Sequence, residues 1–89
     1  MEHVSERPLP RFPGFREAAE RRRRLVAELV DRRRALGLSQ TDVAARMGTS
    51  QSAVARLEAA AGDVRLSTIE RYAAAVGQTL DWRLEQEQP

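Results

Sequence analysis

The stretch Leu38-Ser39-Gln40-Thr41-Asp42-Val43-Ala44-Ala45-Arg46-Met47-Gly48-Thr49-Ser50-Gln51-Ser52-Ala53-Val54-Ala55-Arg56-Leu57-Glu58 decides the fold. It reads as two short helices meeting at a tight turn. Ser39 is a good N-cap for the first, because its side-chain oxygen can accept a free backbone N–H, and Asp42 at the third position suits the positive end of the helix. Val43, Ala44 and Met47 form a buried stripe. Gly48 permits the positive φ that a tight turn between helices needs. Thr49 and Ser50 can each cap the second helix, and Val54 and Leu57 anchor it to a core. Ala45 and Ala53 are small where the helices are expected to approach closely. The outer face of the second helix carries almost nothing bulky.

Upstream, helical periodicity starts near Phe15 and runs to about Leu36. Ala18, Leu25, Leu29 and Leu36 fall on one stripe, with Val26 and Val30 beside it. Gly37 ends that helix. Consecutive helical residues point about 100° apart, so Arg21-Arg22-Arg23-Arg24 encircles the helix rather than building one face. Glu17–Arg21, Glu20–Arg24 and Glu28–Arg32 are spaced as i,i+4 pairs, which favours a solvated, salt-bridged surface over nucleic-acid contact. Arg32-Arg33-Arg34 lies nearer the turn and is the better phosphate-contacting group. Residues 1–14 hold Pro8, Pro10 and Pro13 without apolar periodicity, and read as a flexible or extended arm.

Downstream, Ala59-Ala60-Ala61-Gly62 ends the second short helix in a loop. Ser67-Thr68-Ile69-Glu70 has the form of a capping box. A last helix then runs to about Val76, with Ile69, Tyr72, Ala73 and Val76 on its inner face and Gly77 as its stop. The tail Thr79-Leu80-Asp81-Trp82-Arg83-Leu84-Glu85 alternates polar and apolar, which predicts a strand with Leu80, Trp82 and Leu84 on one face. A lone strand leaves backbone groups unpaired, and pairing with the same strand of a second copy would give a two-fold dimer. The plainer alternative is a tail that folds back with Trp82 in the core. The expected organisation is thus an arm over 1–14, a helical domain over 15–77 and a dimerisation strand and tail over 78–89.

Composition narrows the function. All 15 basic residues are Arg, against 13 acids. Residues 1–65 hold thirteen Arg and nine acids, a balance of +4, and residues 66–89 hold two Arg and four acids, a balance of −2. Arg suits bidentate phosphate and guanine contacts, although a GC-rich coding bias explains the preference more simply. The basic part is the one that contains the two short helices, as phosphate contact requires. Without cysteine, disulfides and thiolate metal sites are excluded. His3 lies in a polar segment and reads as solvated. No glycine-rich phosphate loop or catalytic triad is present, so an enzyme fits poorly, and no cofactor or metal is expected. The start Met-Glu-His-Val-Ser-Glu lacks a signal-peptide pattern, and no apolar run reaches the length of a membrane span, so a cytoplasmic location is expected.

Two short helices with a glycine turn and a low outer face on the second have the layout of a helix-turn-helix, in which the second helix enters the DNA major groove. Residues 32–77 resemble the Cro/C1-type (XRE) helix-turn-helix family. Arg33, Leu36, Gly37, Leu38-Ser39-Gln40, Val43-Ala44, Gly48, Val54, Leu57 and Glu58 carry the resemblance. Arg65-Leu66-Ser67-Thr68-Ile69-Glu70-Arg71-Tyr72-Ala73 and the alternating tail are more loosely similar to HigA-type antitoxins and their stand-alone relatives. The resemblance implies an all-α, four- to five-helix, lambda-repressor-like domain with the C-terminal β-strand paired across a dimer. It also implies a sequence-specific DNA-binding regulator, most simply a dimeric repressor of its own promoter acting on an inverted repeat. The alternative is an antitoxin whose main role is to neutralise a protein toxin, held by the long first helix and the arm.

On the same resemblance, Gln51, Ser52 and Arg56 match the base-reading face, and Gln40 matches a phosphate contact. Arg33 and Glu58 match a buried ion pair. Many members carry an Asn-Gly pair after Glu58, where this chain has Ala59-Ala60-Ala61, so Arg65 is the candidate to replace a phosphate contact from that loop. Thr49, Ser50 and Arg32 complete the phosphate candidates. The chemistry agrees: Gln can pair with adenine and Arg with guanine through two hydrogen bonds, and Ser52 can serve either base edge. Ala55 keeps the face low and can touch a thymine methyl. An architectural binder would lean on phosphate contacts and wedges instead.

Overall fold

Ser39 and Asp42 close a full capping box: the Asp42 N–H donates to Ser39 Oγ at 2.9 Å and the Ser39 N–H donates to Asp42 Oδ2 at 2.8 Å. Two otherwise orphaned backbone donors are thereby satisfied, and the first short helix starts where the sequence predicts. The computed structural model describes residues 14–81. Within them lie α1 (Phe15–Ala35), α2 (Gln40–Met47), α3 (Gln51–Ala59), a single 3-10 turn (Ala61–Asp63) and α4 (Leu66–Ala75). The arm up to Pro13, Trp82 and Leu84 fall outside the described residues. No strand occurs among the described residues, and Leu80 packs, half-buried, against the chain's own core.

The two short helices meet as the glycine requires. Gly48 adopts φ 71°, its N–H donates to the Ala45 carbonyl and the Thr49 N–H reaches back to the Ala44 carbonyl. This is the six-residue closure that satisfies the last carbonyls of a helix. The ends of α1 and α4 close the same way, with Leu38 N–H on Arg33 O and Gln78 N–H on Ala73 O. Ser50 then caps α3 by accepting from the Ala53 N–H at 3.1 Å.

Apolar spacing on each helix converges on one core. Val26 and Leu29 come from α1; Val43, Ala44 and Met47 from α2; Val54 and Leu57 from α3; Ile69, Tyr72, Ala73, Ala75 and Val76 from α4 and its cap. Complete burial of such aliphatic side chains contributes roughly 1.5–3 kcal/mol each. Two arginines lace the ends of α2 and α4 crosswise. Arg46 Nη1 donates to the Ala75 carbonyl at 2.8 Å, and Arg71 Nη2 donates to the Met47 carbonyl at 2.6 Å. Each guanidinium thus serves the negative end of the other helix.

Several local expectations are corrected. The α1 stripe ends on Arg33, which is buried, and Leu36 is 44 % exposed. Leu36 is the C-cap of α1, still helical in conformation with its N–H on the Arg32 carbonyl, and the chain turns away immediately after it at Gly37. Ala45 is exposed rather than wedged between helices. No side chain caps α4: Arg65 is its N-cap and its carbonyl accepts the Thr68 and Ile69 N–H groups. The helix therefore starts one residue before Ser67, and Ser67 stands exposed within its first turn. Among the described residues, none of the three i,i+4 pairs expected on α1 forms an ion pair.

A Cβ at Gly48 would meet no atom within 4 Å, so substitution there is purely a backbone matter. Gly48→Ala should cost about 1–2 kcal/mol, the penalty of an L residue in the left-handed region. Denaturant unfolding of the variant checks this, with Gly48→Asn expected to lose less.

Candidate nucleic-acid interface

Arg33 and Glu58 are far apart in sequence, yet their side chains are only 9 % and 10 % exposed and lie together. Arg33 Nε donates to Glu58 Oε2 at 2.9 Å and Nη2 to Oε1 at 3.1 Å, a two-pronged pair. The third arm of the guanidinium, Nη1, donates to the Leu38 carbonyl at 2.9 Å. The ion pair implied by the family resemblance is thus formed.

Two further groups complete it. Tyr72 Oη donates to Glu58 Oε2 at 2.6 Å, and Gln40 Nε2 donates to Oε1 at 2.9 Å. Each carboxylate oxygen accepts two bonds, and the donors come from α1, α2 and α4. Sequence reasoning placed Tyr72 on the inner face of its helix but missed its hydroxyl partner. The available signal was a buried tyrosine, whose O–H needs an acceptor. Among the described residues no buried side-chain nitrogen or oxygen lacks a partner.

Burial pushes the Glu58 carboxyl up, but the hydrogen bonds from Arg33, Tyr72 and Gln40, with the Arg33 charge, outweigh it and hold the group below its ordinary range. The Glu58 hydrogen bond raises the Arg33 guanidinium in turn, against the desolvation that lowers it. Burial and the Glu58 hydrogen bond both raise the Tyr72 phenol. Asp42 is held low by the Ser39 backbone N–H and hydroxyl.

The network reaches the surface through Gln40. Its amide N–H faces Glu58, so its oxygen must point the other way, and there it accepts from Gln51 Nε2 at 2.7 Å. Gln51 is exposed at the start of α3. Its Oε1 and second N–H are left as an outward acceptor–donor edge. Ser52 is exposed beside it, with its hydroxyl 3.3 Å from that of the capping Ser50. Ala55 is half-buried, and Arg56 is exposed with no intramolecular partner among the described residues. The α3 face is therefore low, with polar groups at Gln51, Ser52 and Arg56.

Among the phosphate candidates, Thr49 and Arg65 line one groove with Arg56 and Arg71, between α3 and α4. Ser50 is committed to capping. Arg32 is exposed in the last turn of α1, outside that groove. No helix among the described residues is long and apolar enough to cross a membrane.

The pKa directions give a pH profile. Glu58 titrates below its ordinary 4.5 when folded, so its contribution to stability is complete above that pH and is lost as pH falls through the folded value. Tyr72 titrates above its ordinary 10.0, so its contribution is complete below that pH and is lost as pH rises further. Denaturant unfolding across pH should show both limbs. Tyr72→Phe should cost about 1.5–3 kcal/mol at neutral pH, through loss of a bond to a charged group, and should remove the alkaline limb. Glu58→Gln should weaken the acid limb and leave the share due to Asp42. A full alkaline limb in Tyr72→Phe would contradict the assignment.

The helix-turn-helix family model HTH_3 matches residues 29–83, more than half of the 89-residue chain. Comparison with curated proteins and with solved structures gives no match. The matched segment contains the capped α2, the glycine turn, α3 and the Arg33–Glu58 pair that ties α3 to α1, and the chain belongs to the Cro/C1-type (XRE) helix-turn-helix family of DNA-binding regulators.

Proposed function

We propose that this chain is a cytoplasmic, sequence-specific regulator that binds an inverted repeat in duplex DNA as a two-fold dimer and represses its own promoter by occupying it. The carrying observation is the outward edge of Gln51, held by Gln40 at the start of α3, together with the guanidinium of Arg56 further along the same helix, exposed and without an intramolecular partner among the described residues. An acceptor and a donor side by side complement the N6 and N7 of adenine, and an unpaired guanidinium complements the O6 and N7 of guanine. Ser52 supplies a further polar contact, and Ala55 lets the helix backbone approach the groove floor.

Gln40 keeps one amide N–H for a phosphate oxygen. Thr49, Arg32 and Arg65 supply further contacts to the DNA phosphates, and Ser50, whose oxygen accepts the Ala53 N–H, keeps its hydroxyl proton to donate to one. The C-terminal apolar positions Leu80, Trp82 and Leu84 are the residues we assign to dimerisation. Two recognition helices then enter successive major grooves about one helical turn apart.

One observation favours the second reading, an antitoxin that neutralises a protein toxin. Residues 15–28 of α1 lie ahead of the family match and lengthen the first helix beyond the matched segment. The two readings separate in binding-site selection from a random duplex library, run beside the mass in solution. A selected inverted repeat and a dimer mass support the repressor. Weak, sequence-blind binding would support the protein-partner reading.

Two classes of variant are expected to behave differently on the selected site. Arg56→Ala should relax specificity at one base pair per half-site, a discrimination of about 1–3 kcal/mol. Gln40→Ala and Arg33→Ala should weaken binding to all sequences alike. An unchanged selected motif for Arg56→Ala would overturn the assignment of Arg56 as a base reader.

A further inference from the structure

We infer that Arg22 is a positioning residue for the DNA interface: it grips the 3-10 turn after α3 and thereby sets where Arg65 stands. The inference rests on the DNA-binding reading above.

The run Arg21–Arg24 divides into different roles. Arg22 is half-buried, and both its Nε and its Nη2 donate to one acceptor, the Gly62 carbonyl, at 3.0 and 2.7 Å. Arg21 and Arg24 are exposed and make no such contact among the described residues. Gly62 is buried, and a Cβ built there would lie 2.8 Å from Arg23 Cζ and Nη2. The turn therefore runs directly beneath two successive arginines of α1, at a separation that glycine accommodates without displacing either.

The turn needs an external grip. It spans three residues and holds one internal closure, Asp63 N–H on the Ala60 carbonyl at 2.9 Å. Single 3-10 turns have poor hydrogen-bond geometry and little stability of their own. α1 packs more extensively against it than against α3 or α4. Val64 follows, half-buried against the core, and then Arg65, whose guanidinium is exposed and without an intramolecular partner among the described residues. Arg65 shares a groove with Arg56 and Thr49. A shift of Gly62 would move Arg65 relative to the reading helix. Arg22 commits two of its five donors to Gly62, and on our inference it acts through the turn rather than as a phosphate ligand. It also lies outside the family match, which begins at residue 29.

The test compares the full chain with Arg22→Met, Arg65→Ala and the double variant on a duplex selected by the native chain, across a salt series. Arg22→Met keeps the apolar stem and removes the grip. If it fails to fold, as judged by its melting curve, Arg22→Lys replaces it, keeping the charge without the two-pronged geometry. The expected result is that Arg22→Met loses roughly tenfold in affinity, as Arg65→Ala does. The slope of log affinity against log salt should become less negative by about 0.9 in each, the loss of one phosphate contact, and no further in the double variant. Amide exchange at Asp63 in the free protein should be faster in Arg22→Met, which a surface phosphate ligand would not cause. Native affinity and slope in Arg22→Met would overturn the inference. Additive losses, with a slope change of about 1.8 in the double variant, would overturn it too, by making Arg22 a ligand itself. Failure of the native chain to bind any duplex would overturn the DNA-binding reading and this inference with it, and would be seen before any substitution is made.

Discussion

A carboxylate withdrawn from water must be surrounded by donors, and Glu58 meets that demand by recruiting every other helix. Arg33 reaches it from α1, Gln40 from α2 and Tyr72 from α4, while Glu58 itself sits near the end of α3. An unpartnered buried charge costs several kcal/mol, so the four helices are correlated through one group. Apolar packing alone tolerates sliding and repacking. Fixed donor directions at a carboxylate do not, and they hold α3 at one angle to the rest.

The same group organises the outer face. Because Glu58 takes the Gln40 N–H, the Gln40 oxygen points outward, and because that oxygen takes a Gln51 N–H, the remaining edge of Gln51 is set. Side-chain amides on a protein surface ordinarily rotate, and ordering one on binding costs about 0.5–1.5 kcal/mol. Here much of that ordering is already present in the free chain. Stability and recognition share one hydrogen-bonded chain from core to surface.

Much of this was legible in the sequence, for reasons that differ from residue to residue. Ser39, Gly48 and Ser50 act within a few residues of themselves, so their backbone roles follow from local chemistry, and all three are met. Val43, Met47, Val54 and Leu57 announce themselves by helical spacing. The Ser67–Glu70 pattern misled because the Arg65 carbonyl, presented by the preceding turn, starts α4 earlier than the side-chain cap would. The end of α1 at Leu36 and Gly37 is met, but Leu36 misled as a core residue because, as the C-cap, it has no following turn to cover it, and Arg33 takes the last buried place on the stripe. Glu58, the partner of Tyr72 and Gln40, and Gly62, the partner of Arg22, lie 14 or more residues away from them in sequence. No local rule identifies them. Arg33 and Glu58 were found only through resemblance to a family that shares the pair.

The crosswise lacing of α2 and α4 has a consequence for how the domain opens. Helix ends normally fray one at a time, since each end turn is held by its own bonds. Arg46 and Arg71 make the last carbonyl of each helix depend on a side chain of the other. Unwinding either end strips a ligand from its neighbour, so the two ends share one opening event. Local opening at these two ends is thereby coupled, and they loosen together rather than one at a time.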